Sequence, residues 1–389
     1  MLTSLAYIYI FGLLLGYIFK KFSLPPLIGM LFTGIILGPY SLNLLDDKTL
    51  LISPELRQLA LVIILTRAGL ALDLQDLKKV GRPAILMSFL PACFEILGCL
   101  LFAPMLLGIS RMEAALLGTV IAAVSPAVIV PKMLSLMDSG KGIKIAIPQM
   151  ILAAGSVDDV LVIVLFSVFA GLVAGGEMHI TDFTQIPISI VTAIGAGIGI
   201  GTALVKYFRM FHLRDTIKVI IILSTAFLLI SLENKLKGIF PISGLLAVMT
   251  LNATIFYKYQ ELAQRLSAKF TKLWVAAELL LFVLVGATVN IEYALAAGLM
   301  AIALIAVSLI FRMAGVAVSV LATPLNLKER IFTMVAYTPK ATVQAAIGSV
   351  PLAMGLECGS IVLTIAVLAI LITAPLGAMG IDALSRNLE

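Results

Sequence analysis

What this 389-residue chain lacks narrows its class at once. It has two histidines, three cysteines and one tryptophan, and only 12% of its residues carry charge, against 61% that are hydrophobic. Both histidines, His179 and His212, fall in expected loops, so proton chemistry inside the apolar segments is left to carboxylates and lysine. Cys93, Cys99 and Cys358 lie in or beside apolar runs without metal-ligand spacing, which argues against a disulfide framework and a zinc site. No nucleophile–base pair falls within those runs, so neither enzyme chemistry nor a resident cofactor is expected. Loops and tail are short, leaving no room for a soluble regulatory domain. The apolar runs do not alternate, which excludes a β-barrel. The N-terminus has no basic n-region and reads as a first span, not a signal peptide.

What remains is an all-α polytopic membrane protein with about 13 transmembrane helices. The spans are expected at approximately 2–19, 24–39, 56–72, 81–108, 112–136, 144–174, 183–207, 217–232, 238–256, 273–291, 293–322, 328–354 and 357–382. The net charge of +6 resides in short loops and reads as a topology signal, not as a nucleic-acid surface. Loops on one side, with the tail, carry nineteen of the 27 basic residues, and loops on the other carry five. The positive-inside rule then places the N-terminus outside and the C-terminus in the cytoplasm of a cell (inner) membrane protein.

Three short matches recur at offsets of 213 to 217 residues. Pro26-Leu27-Ile28-Gly29 pairs with Pro241-Ile242-Ser243-Gly244, Gly69–Asp73 with Gly286–Asn290, and Ser125-Pro126-Ala127 with Thr338-Pro339-Lys340. They align spans 1–6 with spans 8–13 in opposite membrane directions, an inverted repeat of the kind found in secondary transporters. Pro126 and Pro131 in span 5, and Pro339 in span 12, lie near mid-span, where proline removes a backbone donor and breaks the helix. Broken helices at membrane depth survive where protein or a water-filled cavity satisfies the freed backbone groups. Two such breaks are expected to meet at the midplane.

Charge inside the spans is sparse and therefore informative. Asp158 and Asp159 are the only ionisable groups between Ile145 and Gly176. Intramembrane acids are expensive and as a rule functional. Burial disfavours a charged carboxylate, a nearby lysine opposes that effect, and a hard cation also stabilises the ionised form. Protons and cations are thus expected to compete at the double aspartate, with Ser156, Ser125 and carbonyls freed at the breaks as further ligands. Glu95 and Arg312 stand 217 residues apart at matching repeat positions and read as a structural ion pair. Lys340 follows the break in span 12, where it would neutralise a half-helix end, pair with Asp158, or both.

The segments Ser125-Pro-Ala-Val-Ile-Val-Pro131, Ala153-Ala-Gly-Ser-Val-Asp-Asp-Val160, Pro339-Lys-Ala-Thr-Val-Gln-Ala-Ala-Ile-Gly348 and Arg67-Ala-Gly-Leu-Ala-Leu-Asp73 resemble the NHA branch of the monovalent cation/proton antiporters. The resemblance implies a homodimer with a six-helix mobile core and a separate dimerisation domain, exchanging sodium or lithium for protons by elevator-like motion. It makes Asp159 the principal ion-binding carboxylate, with Asp158 as its partner for Na+ or Li+. It matches Glu95 and Arg312 to an intramembrane salt bridge, and Lys340 to the lysine at the crossing of the two broken helices. The implied layout is 1–80 dimerisation and scaffold, 81–176 core, 177–292 linker helix and scaffold, and 293–389 core. Many relatives carry Thr-Asp-Pro where this chain has Val124-Ser125-Pro126, which leaves charge stoichiometry open.

The function expected is secondary active sodium(lithium)/proton antiport. The alternatives are potassium/proton exchange at the same site and a sodium-coupled organic anion carrier. The latter calls for polar or aromatic groups around a larger midplane cavity, and the chain has few. A channel is disfavoured by the lack of a pore-loop motif. Among other residues, Arg67 is expected to snorkel, and Glu278 to line a cytoplasmic funnel or reach water. Gly195, Gly197, Gly199 and Gly201 are expected to serve packing or dimer contacts. The run from Lys258 to Lys272 reads as an amphipathic, mostly solvated connector.

Overall fold

The computed structural model describes residues 1–22, 24–71, 81–139, 142, 146–175, 180–211, 213–236, 242–289 and 291–388. Among the described residues all regular structure is helical. In the first half of the chain the helices are α1 (Leu2–Lys21), α2 (Pro26–Leu37), α3 (Asp47–Leu51), α4 (Ser53–Ala71), α5 (Arg82–Met87), α6 (Leu90–Leu107), α7 (Arg111–Ala122), α8 (Pro126–Asp138) and α9 (Ile147–Gly175). There follow α10 (Ile180–Met210), α11 (Asp215–Leu236), α12 (Gly244–Lys258), α13 (Gln260–Ala287), α14 (Ile291–Ser319), α15 (Leu327–Ala336), α16 (Thr342–Ile347), α17 (Val350–Ala353) and α18 (Gly359–Leu384).

Among the described residues eight segments are long and apolar enough to cross a membrane; they lie in α1, α5 with α6, α9, α10, α11, α13, α14 and α18. The other expected spans are shorter, interrupted or, in α4 with Glu55, Arg57 and Arg67, more charged. Span 112–136 is the pair α7 and α8, and span 328–354 is α15 followed by α16 and α17. Pro241 and Asn290, members of the repeat motifs, lie outside the described residues, as does Asp73.

The chain divides into two compact units. One comprises Met1–Arg57, Leu74–Val162 and Leu279–Glu389; the other comprises Gln58–Asp73 and Ile163–Glu278. In the second unit α10 lies hard against α12. A methyl group on Gly197 would sit 2.6 Å from Thr250 Cβ, and one on Gly201 would sit 2.7 Å from the Leu251 carbonyl oxygen. Gly195 and Gly199, on another face of α10, meet nothing within 4 Å. Only alternate members of the glycine run therefore serve this contact, as helical geometry requires. The run from Lys258 to Lys272 is amphipathic, as expected, with Lys258, Glu261, Arg265 and Lys272 exposed. It enters α13, and Leu262, Ala263, Leu266 and Phe270 are fully buried at helical spacing.

In the first unit α6 and α14 approach at two glycines. Ideal Cβ atoms at Gly98 and Gly315 would lie 2.9 Å from Phe311 Cγ and 2.7 Å from Pro91 Cα. Phe102 meets Phe311 edge-on at 5.9 Å. Around them Met87, Met133, Met150, Ile151, Val316 and Phe332 form an apolar core, so methionine here fills space between helices.

Both interrupted spans begin in the same way. Ser110 and Glu113 form a capping box at the start of α7, and Asn326 and Glu329 form one at the start of α15. Each box satisfies two of the amides that a helix start leaves free. Both first halves then stop short, α7 at Ala122 and α15 at Ala336, and the chain unwinds before the next helix.

Candidate functional site

The site follows from where those helices stop. After α7 the backbone extends through Ala123 (φ −70°, ψ 145°) to Ser125 (φ −93°, ψ 111°), and α8 begins at Pro126. A proline is tolerated there because the first helical residue needs no intrahelical amide. The helix continues past position 131, so the break lies wholly before Pro126. After α15 the chain unwinds through Tyr337 to Ala341 before α16, with Pro339 inside the unwound stretch. The two breaks touch: the Ser125 amide donates to the Pro339 carbonyl at 2.8 Å. The side chains of Pro126, Pro131 and Ser156 lie outside the described set.

Five charged side chains converge here, all within the first unit. The glycine contacts bring α6 and α14 close beside Glu95 and Arg312, three residues before Gly98 and Gly315. Arg312 Nη1 donates to Glu95 Oε2 at 2.9 Å, and Nη2 donates to Asp158 Oδ2 at 2.9 Å. Its Nε donates to the Tyr337 carbonyl at 2.5 Å, Nη1 also reaches the Ala122 carbonyl, and the guanidinium lies 4.9 Å from the Tyr337 ring centre. Arg312 is therefore shared between two carboxylates, not confined to Glu95 as the offset in sequence implied. A planar fork with five donors makes that sharing possible.

Lys340 joins Glu95 Oε2 at 2.6 Å, while its backbone amide donates to Thr373 Oγ1 at 2.9 Å. Its ammonium pairs with Glu95 and not with Asp158, the partner that the sequence offered. Asp158 instead takes Arg312 and the Val124 amide, the latter at 3.0 Å. Successive helical residues diverge by about 100°, and Asp159 turns elsewhere. No ion pair or hydrogen bond engages it among the described residues. It also keeps 8% exposure, where Glu95, Asp158 and Arg312 keep none and Lys340 keeps 1%.

Several buried oxygens in and beside the breaks have no protein partner among the described residues: Glu95 Oε1, Asp158 Oδ1, Asp159 Oδ1, Ser125 Oγ and Thr342 Oγ1. Oxygen donors suit a hard cation. No group of three His, Cys, Asp or Glu side chains able to hold a metal ion occurs among the described residues. Cation binding at this site would draw on hydroxyl and carbonyl oxygen as well as carboxylate.

A profile of the family described as "Sodium/hydrogen exchanger, transmembrane" matches residues 8–386. The chain belongs to the sodium/hydrogen exchanger family. Among curated members, sodium/hydrogen exchanger 9B2 of Mus musculus is 32% identical, over 93% of this chain and 68% of that protein. The Homo sapiens protein of the same name is 33% identical, over 97% and 72%. The fold is that of the sodium proton antiporter MjNhaP1 from Methanocaldococcus jannaschii, with a TM-score of 0.85 over 99% of this chain and 97% of that one, at 19% identity. As a member of this exchanger family the chain is a multi-pass membrane protein with sodium and protons as its family's transported ions.

Three residues at this crossing had no role assigned from sequence. Tyr337 lies beneath Arg312 and anchors its own hydroxyl on the Met87 carbonyl at 3.1 Å. Thr373 receives the Lys340 amide. Gln344 donates to the Ala123 carbonyl at 2.8 Å and accepts from the Ala341 amide at 2.8 Å. The available signal was an isolated amide in an otherwise apolar segment, since a polar side chain at membrane depth needs a partner.

Proposed function

We propose that this exchanger carries sodium or lithium against protons by alternating access, with Asp159 as the exchanging carboxylate and Asp158 as its fixed neighbour. The observation that carries this reading is the asymmetry of the pair. Asp158 has an arginine and a backbone amide; Asp159 has neither and retains some exposure. With all five side chains ionised, three carboxylates face two cations. The buried excess of negative charge is unfavourable, and a proton or a monovalent cation relieves it. Two occupants that relieve the same charge compete for it. If the site opens to each side in turn, that competition is exchange.

In this reading 81–176 and 293–389 form the moving core, and 1–80 and 177–292 form the dimerising scaffold. The chain works as a homodimer in the cell membrane, with its N-terminus outside and its C-terminus in the cytoplasm, as the distribution of basic residues supports. The test is proton flux in proteoliposomes under Na+, Li+ and K+ gradients, with Asp159→Asn as control. Na+- or Li+-dependent flux, lost in the variant, is the expected result. Flux driven by K+ alone reassigns the ion, and undiminished flux in Asp159→Asn overturns the site.

A further inference from the structure

We infer that Gln344 is a positioning residue for exchange: its single amide ties the two helix breaks together and holds the backbone that orients Asp158. This rests on the assignment of Asp159 as exchanging group. The helix α7 ends in carbonyls without intrahelical acceptor roles, as every helix does. At membrane depth no water layer is assured to satisfy them. Arg312 takes the Ala122 carbonyl, and Gln344 Nε2 takes that of Ala123 at 2.8 Å while lying 3.4 Å from that of Ile121. On the other break, Gln344 Oε1 receives the Ala341 amide at 2.8 Å. Gln344 itself is fully buried.

The chemistry of the position is narrow. One break presents an acceptor and the other a donor, so the bridging group must donate and accept at once without charge. A carboxamide does this; a carboxylate only accepts. The consequence reaches the site through one residue. Ala123 precedes Val124, whose amide holds Asp158 Oδ2, and Ser125 follows, whose amide joins the Pro339 carbonyl. Freeing the Ala123 carbonyl lets this extended segment turn, removes a donor from Asp158 and changes which oxygens stand beside Asp159. The charged side chains at the crossing are Glu95 on α6, Asp158 and Asp159 on α9, Arg312 on α14 and Lys340 in the second break.

The test compares Gln344→Met and Gln344→Glu with the parent protein in two assays: Na+-driven proton flux, and thermal stabilisation by added Na+, which reports binding without transport. Methionine keeps the length and loses both hydrogen bonds. It is expected to raise the Na+ concentration for half-maximal flux and for half-maximal stabilisation by about tenfold, the effect of two lost hydrogen bonds of ordinary worth, with a smaller change in maximal flux. Glutamate restores the donor only when protonated, so that variant should approach parental flux at acidic pH and lose it as pH rises, with its alkaline limb shifted to lower pH.

A merely structural role would lower the unfolding temperature of both variants without moving the Na+ dependence or the pH profile. That outcome, alongside an inactive Asp159→Asn, overturns the role of Gln344 and leaves the site standing. Should Gln344→Met not fold, an unshifted pH profile in Gln344→Glu overturns it alone. Active Asp159→Asn removes the premise and this role with it.

Discussion

Two clusters in this protein join arginine and lysine to carboxylates, under opposite conditions. In the second unit Asp215 receives Arg265 at 3.1 Å and Lys218 at 3.6 Å, with Arg265 half exposed, Asp215 partly exposed and Lys218 buried. In the first unit Arg312 and Lys340 converge on Glu95 with essentially no exposure of any of the three. The first arrangement, at its Arg265–Asp215 pair, exchanges water for a partner in a screened medium and gains roughly 0–1 kcal/mol. The second removes ions from water altogether, a cost that mutual attraction offsets only while every partner stays in place. Distances alone do not separate the Arg265–Asp215 pair from the cluster around Glu95; burial does. The lesson concerns Asp159: Asp215 stands beside a half-exposed arginine and near water, whereas an acid beside Arg312 has only what the site admits.

The comparison breaks first at Asp159. Replacement by asparagine removes the charge and keeps the shape, and cation-dependent flux in proteoliposomes should fall to background while the protein elutes as folded material. Arg312→Ala comes next. It leaves Asp158 without its cation and Glu95 with Lys340 alone, and should cost about 3–5 kcal/mol, read as a lower midpoint of denaturation in detergent, with flux reduced because Asp158 loses its main partner. An unchanged midpoint would show that the buried network contributes nothing. Lys340→Met should cost less, roughly 1–3 kcal/mol, since Arg312 still holds Glu95; a loss equal to that of Arg312→Ala would invert the ranking. Arg265→Ala should change stability by no more than about 1 kcal/mol, an effect that shrinks with added salt, and should leave flux intact. A larger, salt-insensitive loss there would erase the distinction between the clusters.

Much of the site was legible before any coordinates, for reasons specific to membranes. Glu95, Asp158, Asp159, Arg312 and Lys340 stand out because charge within an apolar span is rare and costly. Pro126 and Pro339 stand out because proline interrupts a helix, and the unwound stretches lie immediately beside them. The segment after Lys258 was legible as amphipathic because its charges alternate with Leu262, Leu266 and Phe270, which carry the buried face of α13. Gln344 went unassigned because an amide advertises a need for partners but not where they are.

Composition and pattern by themselves determined that the chain is helical and membrane-spanning, that two spans are interrupted, and which side chains are too polar for their surroundings. These are properties of local sequence, governed by the transfer of each segment from water. Only the tertiary structure decided who pairs with whom: that Arg312 divides itself between Glu95 and Asp158, that Lys340 goes to Glu95, and that no ion pair engages Asp159 among the described residues. Those choices depend on the approach of α6 to α14 and on the contact of two breaks more than 200 residues apart in the chain. Pairing inside a membrane is decided by distance and direction between helices, and no local signal carries either.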